Sequence, residues 1–412
     1  MGQQVSKFGI QFRHDYFLFD KETTPVNHGS YGAVPKPVFE EYQKLLLEDL
    51  TFPDKFALGL PPRVEHNLKL IAKVVNTSHE NLAFVPNATS GVNDVLRSFP
   101  FVKGDAILAT NIIYDACKNT IDYVVERYHL KLEIVELKFP ASDADVLAKF
   151  EGKLSKGNIK LCFFDLVCSG PGIKFPYKEI TKLCKKYNVI SCIDGAHSIG
   201  MLPIDLEELQ ADFYITNLHK WLYCPRGCAL LYVNPKFHKD IEPFPISHTY
   251  KGAKFYEKFL FVASNNYVSY LVVESALKFI DETCGGLENI RSYCNGLRKD
   301  AIEMFTKEMG LKVLENEEET ISTFMFNVFV DLKGKRLEYF KKNVSPEFFV
   351  EIRDFVYDIL IDGKHTYIQF GIYDEKLFVR FSCQIYNELS EYKLTYEWFT
   401  DALDQFFKSK SL

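Results

Sequence analysis

The chain has 412 residues, of which 47% are hydrophobic and 25% charged, and its formal net charge is −6. This length is more than one small core accommodates, so two domains are expected. The mildly acidic balance disfavours a nucleic-acid partner, and no apolar run is long enough to span a bilayer. Ten cysteines without paired spacing, and no secretory signal at the start, are typical of a reduced cytoplasmic protein.

The first residues match a short lipidation pattern. Gly2 follows the first methionine, and Ser6 occupies the position at which N-myristoylated proteins carry serine or threonine. An unmodified N-terminus is the alternative, because so short a pattern also arises by chance. One acyl chain binds membranes only weakly, so membrane contact is expected only if Gly2 is acylated.

Residues 26–35 contain two glycines and a proline, which predicts a tight and irregular segment. Asn27, His28 and Tyr31 give this segment hydrogen-bond donors and acceptors. A plain turn into the next helix is the alternative to a functional role. Two amphipathic helices are expected to follow, each with a proline near its start, over residues 37–50 and 62–75.

A strand over residues 82–86 runs into residues 87–93, which should open a helix. Free N–H groups at a helix start, together with the hydroxyls of Thr89 and Ser90, form a cradle that suits a phosphate group. A capped helix without a ligand is the alternative, since threonine and serine are good caps in any protein.

From residue 106 onward, runs typical of strands and helices alternate along the chain. The expected strands lie at residues 106–110, 131–137 and 160–167, and the expected helices at residues 114–127 and 177–187. This alternation predicts a parallel sheet with right-handed crossover connections. Asp165 and the loop 169–172 come at the end of the last of these strands, where they should border a site.

Residues 187–193, 212–216 and 228–233 predict three more strands. The first of them leads directly to Asp194, and the second is followed closely by Lys220. Because ligands of open α/β sheets bind at the carboxyl ends of strands, both side chains are expected to reach one crevice. A lysine that forms a Schiff base and an aspartate that pairs with a protonated ring nitrogen are what pyridoxal phosphate requires.

The remaining chain predicts a mixed α/β region. Its elements are expected as helix, strand, helix, two strands and helix, at residues 288–309, 321–330, 346–360, 366–370, 378–382 and 391–407. Arg380 lies inside an otherwise apolar strand, where a charged side chain requires a partner. A structural ion pair would supply such a partner.

The stretch from Asp194 to Lys220 resembles the class V aminotransferase family of pyridoxal-phosphate enzymes. This family includes cysteine desulfurases, isopenicillin N epimerase-like proteins and cysteine-conjugate lyases. The resemblance implies the fold type I architecture, α/β with a mostly parallel sheet flanked by helices in a large domain and a smaller α/β domain. We place the N-terminal segment at residues 1–36, the cofactor-binding domain at 37–285 and the small C-terminal domain at 286–412.

The resemblance also implies roles for individual residues, a homodimer and a small amino-acid substrate, without a metal. The implied catalytic residues are Lys220, Asp194 and His197. The implied cofactor-binding residues are Ala88, Thr89, Tyr114, Asp194, His197, Asn217, His219, Lys220 and Ser264. The implied substrate-binding residues are Asn27, His28, Tyr31 and Arg380. At Tyr114 a core tyrosine is the alternative, and the family contact from Ser264 to the partner subunit's phosphate is in doubt because Asn266 replaces a carboxylate.

The predicted reaction is carbon–sulfur bond cleavage by β-elimination. Cysteine desulfurases need a mobile cysteine shortly before the carboxylate-binding arginine, but residues 361–379 contain none, and Cys383 follows inside the strand. The expected substrate is cysteine or a cysteine conjugate, as in cysteine desulfhydrases or ergothioneine-forming hercynylcysteine sulfoxide lyases. An aminotransferase or epimerase is the alternative, and a cofactor-free binding protein is disfavoured. Tyr31, Tyr367, Phe370 and Tyr373 are candidates for a cage around a quaternary ammonium group. Core packing is the alternative, and the favoured one, for each of them.

Overall fold

The computed structural model describes residues 7–251 and 253–412. Within these ranges, seven strands form the main sheet and three form a second sheet near the C-terminus. The main-sheet strands are β1 (Leu82–Val85), β2 (Ala106–Thr110), β3 (Lys131–Val135), β4 (Ile159–Asp165), β5 (Ile190–Asp194), β6 (Phe213–Asn217) and β7 (Ala229–Val233). The second sheet consists of β8 (Met325–Phe329), β9 (Gln369–Tyr373) and β10 (Lys376–Ser382). Gly2 and Ser6 of the lipidation pattern lie outside the described residues.

The main sheet has the strand order β1-β7-β6-β5-β4-β2-β3. The pairs β2–β3, β2–β4, β4–β5 and β5–β6 are parallel, whereas β7 is antiparallel to both β1 and β6. The prediction of a mostly parallel sheet is therefore confirmed. Strands β1, β2, β6 and β7 are buried along their whole length, as expected when helices cover both faces of a sheet.

Helices flank both sheets. In chain order they are α1 (Ile10–Tyr16), α2 (His28–Tyr31), α3 (Lys36–Thr51), α4 (Pro53–Val74), α5 (Ala88–Ser98), α6 (Asp115–Tyr128), α7 (Asp143–Leu154), α8 (Tyr177–Lys186), α9 (Leu206–Leu209), α10 (Leu218–Trp221), α11 (Val268–Leu271), α12 (Val273–Lys278), α13 (Leu287–Glu303), α14 (Gly334–Asn343), α15 (Pro346–Tyr357) and α16 (Leu389–Ser409). Within the described ranges, no helix has the length and apolar character that crossing a membrane requires.

Several helices differ from the sequence prediction, and α4 and α14 show why. Helix α4 begins at Pro53 and continues through Pro61 and Pro62, although a helix was expected to start only at the second of these interior prolines. Burial of Phe56 and Leu60 against the core stabilises the early turns and outweighs the missing N–H groups. Helix α14 was not predicted, because its sequence is dominated by charged residues and only one of its side chains is fully buried.

The N-terminal segment connects the two sheets next to the carboxyl edge of the main sheet. The N–H of Ser382 at the end of β10 donates to the carbonyl of Val26 (2.9 Å), and its hydroxyl accepts from the N–H of Gly29 (3.1 Å). Further back, Arg13 of α1 forms a buried ion pair with Glu391 of α16 (2.6 Å). We retain the boundaries at residues 36 and 285 as a proposal, and the positive φ angles of glycines 285 and 286 support the second one.

Candidate active site

The carboxyl ends of three parallel strands meet at one cavity of about 460 Å³. Strands β4, β5 and β6 end at Asp165, Asp194 and Asn217, and Lys220 lies on the short helix α10 that follows β6. Arg380 of the second sheet closes the cavity from the opposite side. A cavity of similar size, about 450 Å³, lies at the other edge of the main sheet and contains none of the predicted residues.

Lys220 is held as a reactive amine. Its Nζ lies 3.0 Å from Nε2 of His197, whose Nδ1 accepts from the indole N–H of Trp221 (3.4 Å). Burial, and then the positive charge of Arg380, lower the pKa of Lys220 to about 8. Burial and the charge of Lys220 also hold the pKa of His197 well below its usual value. The imidazole is therefore neutral, and it contacts an amine that loses its proton easily.

Asp194 presents a buried carboxylate at the end of β5. It is 3% exposed, Oδ1 accepts from the N–H of Ala196 (2.9 Å), and Oδ2 accepts from the thiol of Cys117 (3.3 Å). Burial raises the pKa of Asp194, whereas the hydrogen bonds and the charge of Lys220 oppose that rise. The turn after the strand requires glycine at position 195, because a Cβ there would lie 2.4 Å from the ring of Tyr214.

The first turn of α5 forms a polar end of the cavity. Asn87 caps this helix by accepting the N–H of Ser90 on its side-chain oxygen (2.9 Å). The N–H of Ala88 donates to the side-chain oxygen of Asn217 (2.8 Å), which leaves the NH₂ group of Asn217 available to a ligand. Thr89 also lines the cavity. A helix start with a hydroxyl and an amide donor suits a phosphate group.

Three of the predicted cofactor-binding residues differ in whether they line this cavity, namely His219, Tyr114 and Ser264. The ring of His219 uses Nδ1 to donate to the carbonyl of Cys228 (2.9 Å), so its Nε2 is free to face the cavity that it lines. Tyr114 lies just before α6, lines the cavity and is 49% exposed, which does not fit the alternative of a core tyrosine. Ser264 is exposed and does not line the cavity of its own chain.

Arg380 is buried without a carboxylate partner. One of its terminal nitrogens donates to the carbonyl of Ser169 (2.5 Å), and the other donates to Oδ1 of Asn27 (2.7 Å) and to the hydroxyl of Ser30 (3.1 Å). Among the described residues, no carboxylate lies within ion-pair distance of this guanidinium, although it is only 1% exposed. Its Nε has no hydrogen-bond partner. A positive charge held by neutral groups is available to an anionic ligand.

His28 lies behind the active lysine rather than in the cavity. Its Nε2 lies 2.5 Å from the carbonyl oxygen of Lys220, and its Nδ1 lies 2.7 Å from the hydroxyl of Tyr386. Both ring nitrogens are therefore occupied, and burial lowers the pKa of His28 to about 3. The geometry assigns His28 to positioning α10, in contrast to the substrate contact expected from the sequence. Tyr31, on the same segment, lines the mouth of the cavity and is 68% exposed.

The candidate aromatic cage is not assembled. Of its members only Tyr31 lines the cavity. Phe370 is 1% exposed in the core, Tyr373 accepts the N–H of Phe139 on its hydroxyl (2.6 Å), and Tyr367 hydrogen bonds to Gln369. Side chains alternate along β9, so Gln369 faces the cavity and Phe370 points away from it. No pattern in the sequence indicates the register of this strand, and Gln369 was not predicted.

Taken together, these groups fit pyridoxal phosphate. The cofactor needs a buried amine that deprotonates near neutral pH, an anion for the ring nitrogen and donors for its phosphate. Lys220, Asp194 and the first turn of α5 with Asn217 supply them around one cavity. The free Nε2 of His219 adds a further donor or acceptor at this site. The fold and site thus define a pyridoxal-phosphate-dependent enzyme.

Comparison with known proteins leads to the same class. The sequence model of the family described as Aminotransferase class-V matches residues 60–393, and the chain belongs to this family. It is 29% identical over 386 residues to a hercynylcysteine sulfoxide lyase of Schizosaccharomyces pombe, covering 92% of this chain and 93% of the relative. It is 28% identical to a probable chloroplastic L-cysteine desulfhydrase of Arabidopsis thaliana, covering 75% and 68%.

The fold is also found in solved structures. The apo structure of a cysteine desulfurase from Thermococcus onnurineus NA1 superposes with a TM-score of 0.78 at 19% identity, covering 98% of this chain and 100% of that one. At this level of identity the similarity establishes the fold alone. The predicted family and the fold type I architecture are therefore confirmed.

Proposed function

We propose that this protein is a carbon–sulfur lyase that cleaves cysteine or a cysteine conjugate by β-elimination. The products are pyruvate, ammonia and a sulfur-containing fragment. The observation that carries the proposal is that two basic groups line one cavity. They are the amine of Lys220, whose pKa is lowered, and the guanidinium of Arg380, which has no carboxylate partner among the described residues. An amino acid offers its α-carboxylate to the guanidinium and thereby presents its α-hydrogen to the amine.

Each residue contributes a separate part of the chemistry. When bound, pyridoxal phosphate supplies an electron sink for the charge that develops at the substrate α-carbon. Lys220 removes the α-proton, and His197, in contact with its amine, assists in holding or moving that proton. Asp194, as an anion, would pair with the ring nitrogen of the bound cofactor and hold a proton there. With a sulfur leaving group on the β-carbon, the C–S bond breaks and its electron pair leaves with sulfur. Water then hydrolyses the released enamine to pyruvate and ammonia.

The cysteines of the chain disfavour persulfide transfer. Among the described residues, Cys117 is the only thiol that lines the cavity, and it donates to Asp194. Burial raises the pKa of Cys117 far above its usual value, so it is a poor nucleophile. Cys383 is 0% exposed, and its N–H donates to the carbonyl of Phe324 (2.7 Å) within the packed second sheet. Direct elimination requires neither thiol.

The relatives support this reaction class, because the names they carry are those of a sulfoxide lyase and a desulfhydrase acting on cysteine derivatives. We propose an ergothioneine-type cysteine conjugate as the first substrate to test. The exposed rings of Tyr31 and Tyr114 at the mouth offer aromatic surface to the part of a conjugate that extends beyond the cavity.

We also propose that the protein is a cytoplasmic homodimer. Four large apolar side chains near the junction of α3 and α4 are between 56% and 84% exposed, namely Leu47, Leu50, Phe52 and Leu58. Such a patch is typical of an interface. All ten cysteines lie in the described ranges as buried free thiols, which supports a reducing compartment.

The test is an assay of pyruvate release from a panel of substrates. The purified protein, loaded with pyridoxal phosphate, is incubated with cysteine, cystine, hercynylcysteine sulfoxide and simple S-alkyl cysteines, and pyruvate is measured with a coupled dehydrogenase. We expect release from at least one of them and none from Lys220→Ala. Amino-group transfer to a keto acid, or inversion at the α-carbon, without pyruvate would contradict the lyase assignment.

A further inference from the structure

A second carboxyl group lies beside Asp194 and takes no part in the chemistry described above. Asp165 ends β4, and it pairs in register with Asp194 at the end of the parallel strand β5. Residues in register on parallel neighbours project to the same face, with backbones about 4.8 Å apart. Asp165 and Asp194 are 2% and 3% exposed, and both line the cavity. Two buried carboxyl groups therefore share one corner of the active site.

The two carboxyl groups have unequal surroundings. Asp194 accepts hydrogen bonds from the N–H of Ala196 and the thiol of Cys117 on its two oxygens, and Lys220 lies near it. For Asp165, by contrast, Oδ2 is buried and has no hydrogen-bond partner. This difference stabilises the anion more strongly at Asp194 than at Asp165, where a single backbone hydrogen bond lowers the pKa.

The groups that face Asp165 are acidic or neutral. They are Asp194 from β5, the thiol of Cys117 from α6 and the thiol of Cys168 from the loop after β4. Burial, and then the charge of Asp194, raise the pKa of Asp165 well above its usual value. Two adjacent buried carboxyl groups retain a shared proton, and it belongs on the one with the weaker stabilisation of its anion, which is Asp165.

We propose that Asp165 is a further cofactor-binding residue, held as the neutral carboxylic acid, whose O–H donates a hydrogen bond to pyridoxal phosphate bound beside Asp194. A buried polar oxygen without a partner is unfavourable, and a ligand acceptor in the cavity removes that deficit. Neutrality at Asp165 also leaves a single negative charge, on Asp194, to face the ring nitrogen. The inference rests on cofactor binding at Lys220 and not on the lyase reaction.

The first test measures the affinity of the apo-protein for pyridoxal phosphate. Asp165→Asn keeps the size and an N–H donor, whereas Asp165→Leu keeps the size and loses the donor. We expect the leucine variant to bind the cofactor about tenfold more weakly and the asparagine variant to stay within about threefold of the parent. Titrations followed by visible absorbance give the dissociation constants, and thermal unfolding of each apo-protein shows whether it is folded.

Thr110→Val is the matched control. The hydroxyl of Thr110, at the end of β2, is also buried without a partner, but it does not line the cavity. Its loss should leave cofactor affinity unchanged. If both Asp165 variants bind as tightly as the parent, or if the leucine and asparagine variants are weakened equally, Asp165 makes no such hydrogen bond and the proposal is wrong.

The second test observes the proton itself by infrared spectroscopy of the full-length holoenzyme. We expect a carbonyl band of a protonated carboxylic acid at neutral pH, which Asp165→Asn removes. Because Asp94 is also buried and its pKa is raised to about 7, the band of Asp165 is read from the difference between the spectra of the parent and Asp165→Asn. A difference spectrum without this band overturns the proposal. None of these outcomes depends on pyruvate formation, so they test the role of Asp165 independently of the lyase assignment.

Discussion

The amine of Lys220 lies 3.0 Å from Nε2 of His197 and lines the same cavity as the guanidinium of Arg380. His197 is a neutral polar partner of this amine, and the positive charge of Arg380 disfavours its ammonium form. Together with burial they lower the pKa of the lysine to about 8. The amine is therefore prepared for reaction before any cofactor arrives.

This relationship predicts the pH dependence of cofactor capture. A lysine with a lowered pKa is the reactive neutral amine above that pKa, so the rate of capture by the apo-protein should rise through a midpoint near pH 8 and then level off. Stopped-flow absorbance after mixing with pyridoxal phosphate measures this rate. A rate that continues to rise to about pH 10, as for an ordinary lysine, would show that the site does not perturb Lys220.

Asp194→Asn should lower turnover severely while leaving the protein able to bind cofactor. The amide cannot stabilise a positive charge on the ring nitrogen, so the electron sink is weakened, by roughly 10²- to 10³-fold in kcat. The remaining phosphate contacts at α5 and the amine of Lys220 are unchanged. Steady-state pyruvate release and a cofactor titration on the same preparation separate the two effects. Unchanged turnover would mean that Asp194 is not the partner of the ring nitrogen.

The sequence located the site through the order of its strands. Asp194 and Lys220 could be placed together because the ends of parallel strands meet at one edge, and that rule needs no coordinates. The role of His28 could not be predicted in the same way. Its segment looked irregular, whereas the structure forms the short helix α2 and directs both ring nitrogens to protein partners.

Register and burial set a second limit on what the sequence could predict. Phe370 and Tyr373 have the chemistry of a cation cage, yet the pairing of β9 with β10 aligns Gln369 with Arg380 and turns its neighbour Phe370 into the core. A shift of one residue would reverse this outcome, and no turn motif in the sequence specifies the register. Asp165 was expected to border the site, but its missing hydrogen-bond partner is visible only in the structure.

Gly32→Ala should disrupt the link between the N-terminal segment and α10. Gly32 has φ +70°, and a Cβ there would lie 1.9 Å from the carbonyl oxygen of His219. We expect a loss of at least about 2 kcal/mol in the free energy of unfolding, together with weaker cofactor binding. Gly59→Ala is the control, because no atom lies within 4 Å of the added Cβ in the interior of α4. That variant should gain up to about 1 kcal/mol in chemical denaturation. Equal stability of the two variants would contradict the contact with His219.

Arg380→Ala should raise KM and lower kcat together, because the guanidinium both binds the substrate carboxylate and aligns the α-hydrogen with Lys220. We expect a loss of about a hundredfold or more in kcat/KM. Arg380→Lys should restore little, since the ammonium lacks the planar fork that reaches Ser169 and Asn27 at the same time.

The decisive control for Arg380 is a substrate analogue without the carboxylate. Such an amine gives the guanidinium nothing to hold, so its slow proton exchange at the carbon next to nitrogen should lose far less from Arg380→Ala than the amino acid does. Deuterium incorporation from heavy water, followed by mass spectrometry, measures this exchange for both compounds. Equal losses would make Arg380 a residue that supports the segment around Asn27 and Ser30, which it contacts at 2.7 and 3.1 Å. The carboxylate would then have to bind elsewhere, and the free NH₂ group of Asn217 would be the next donor to test.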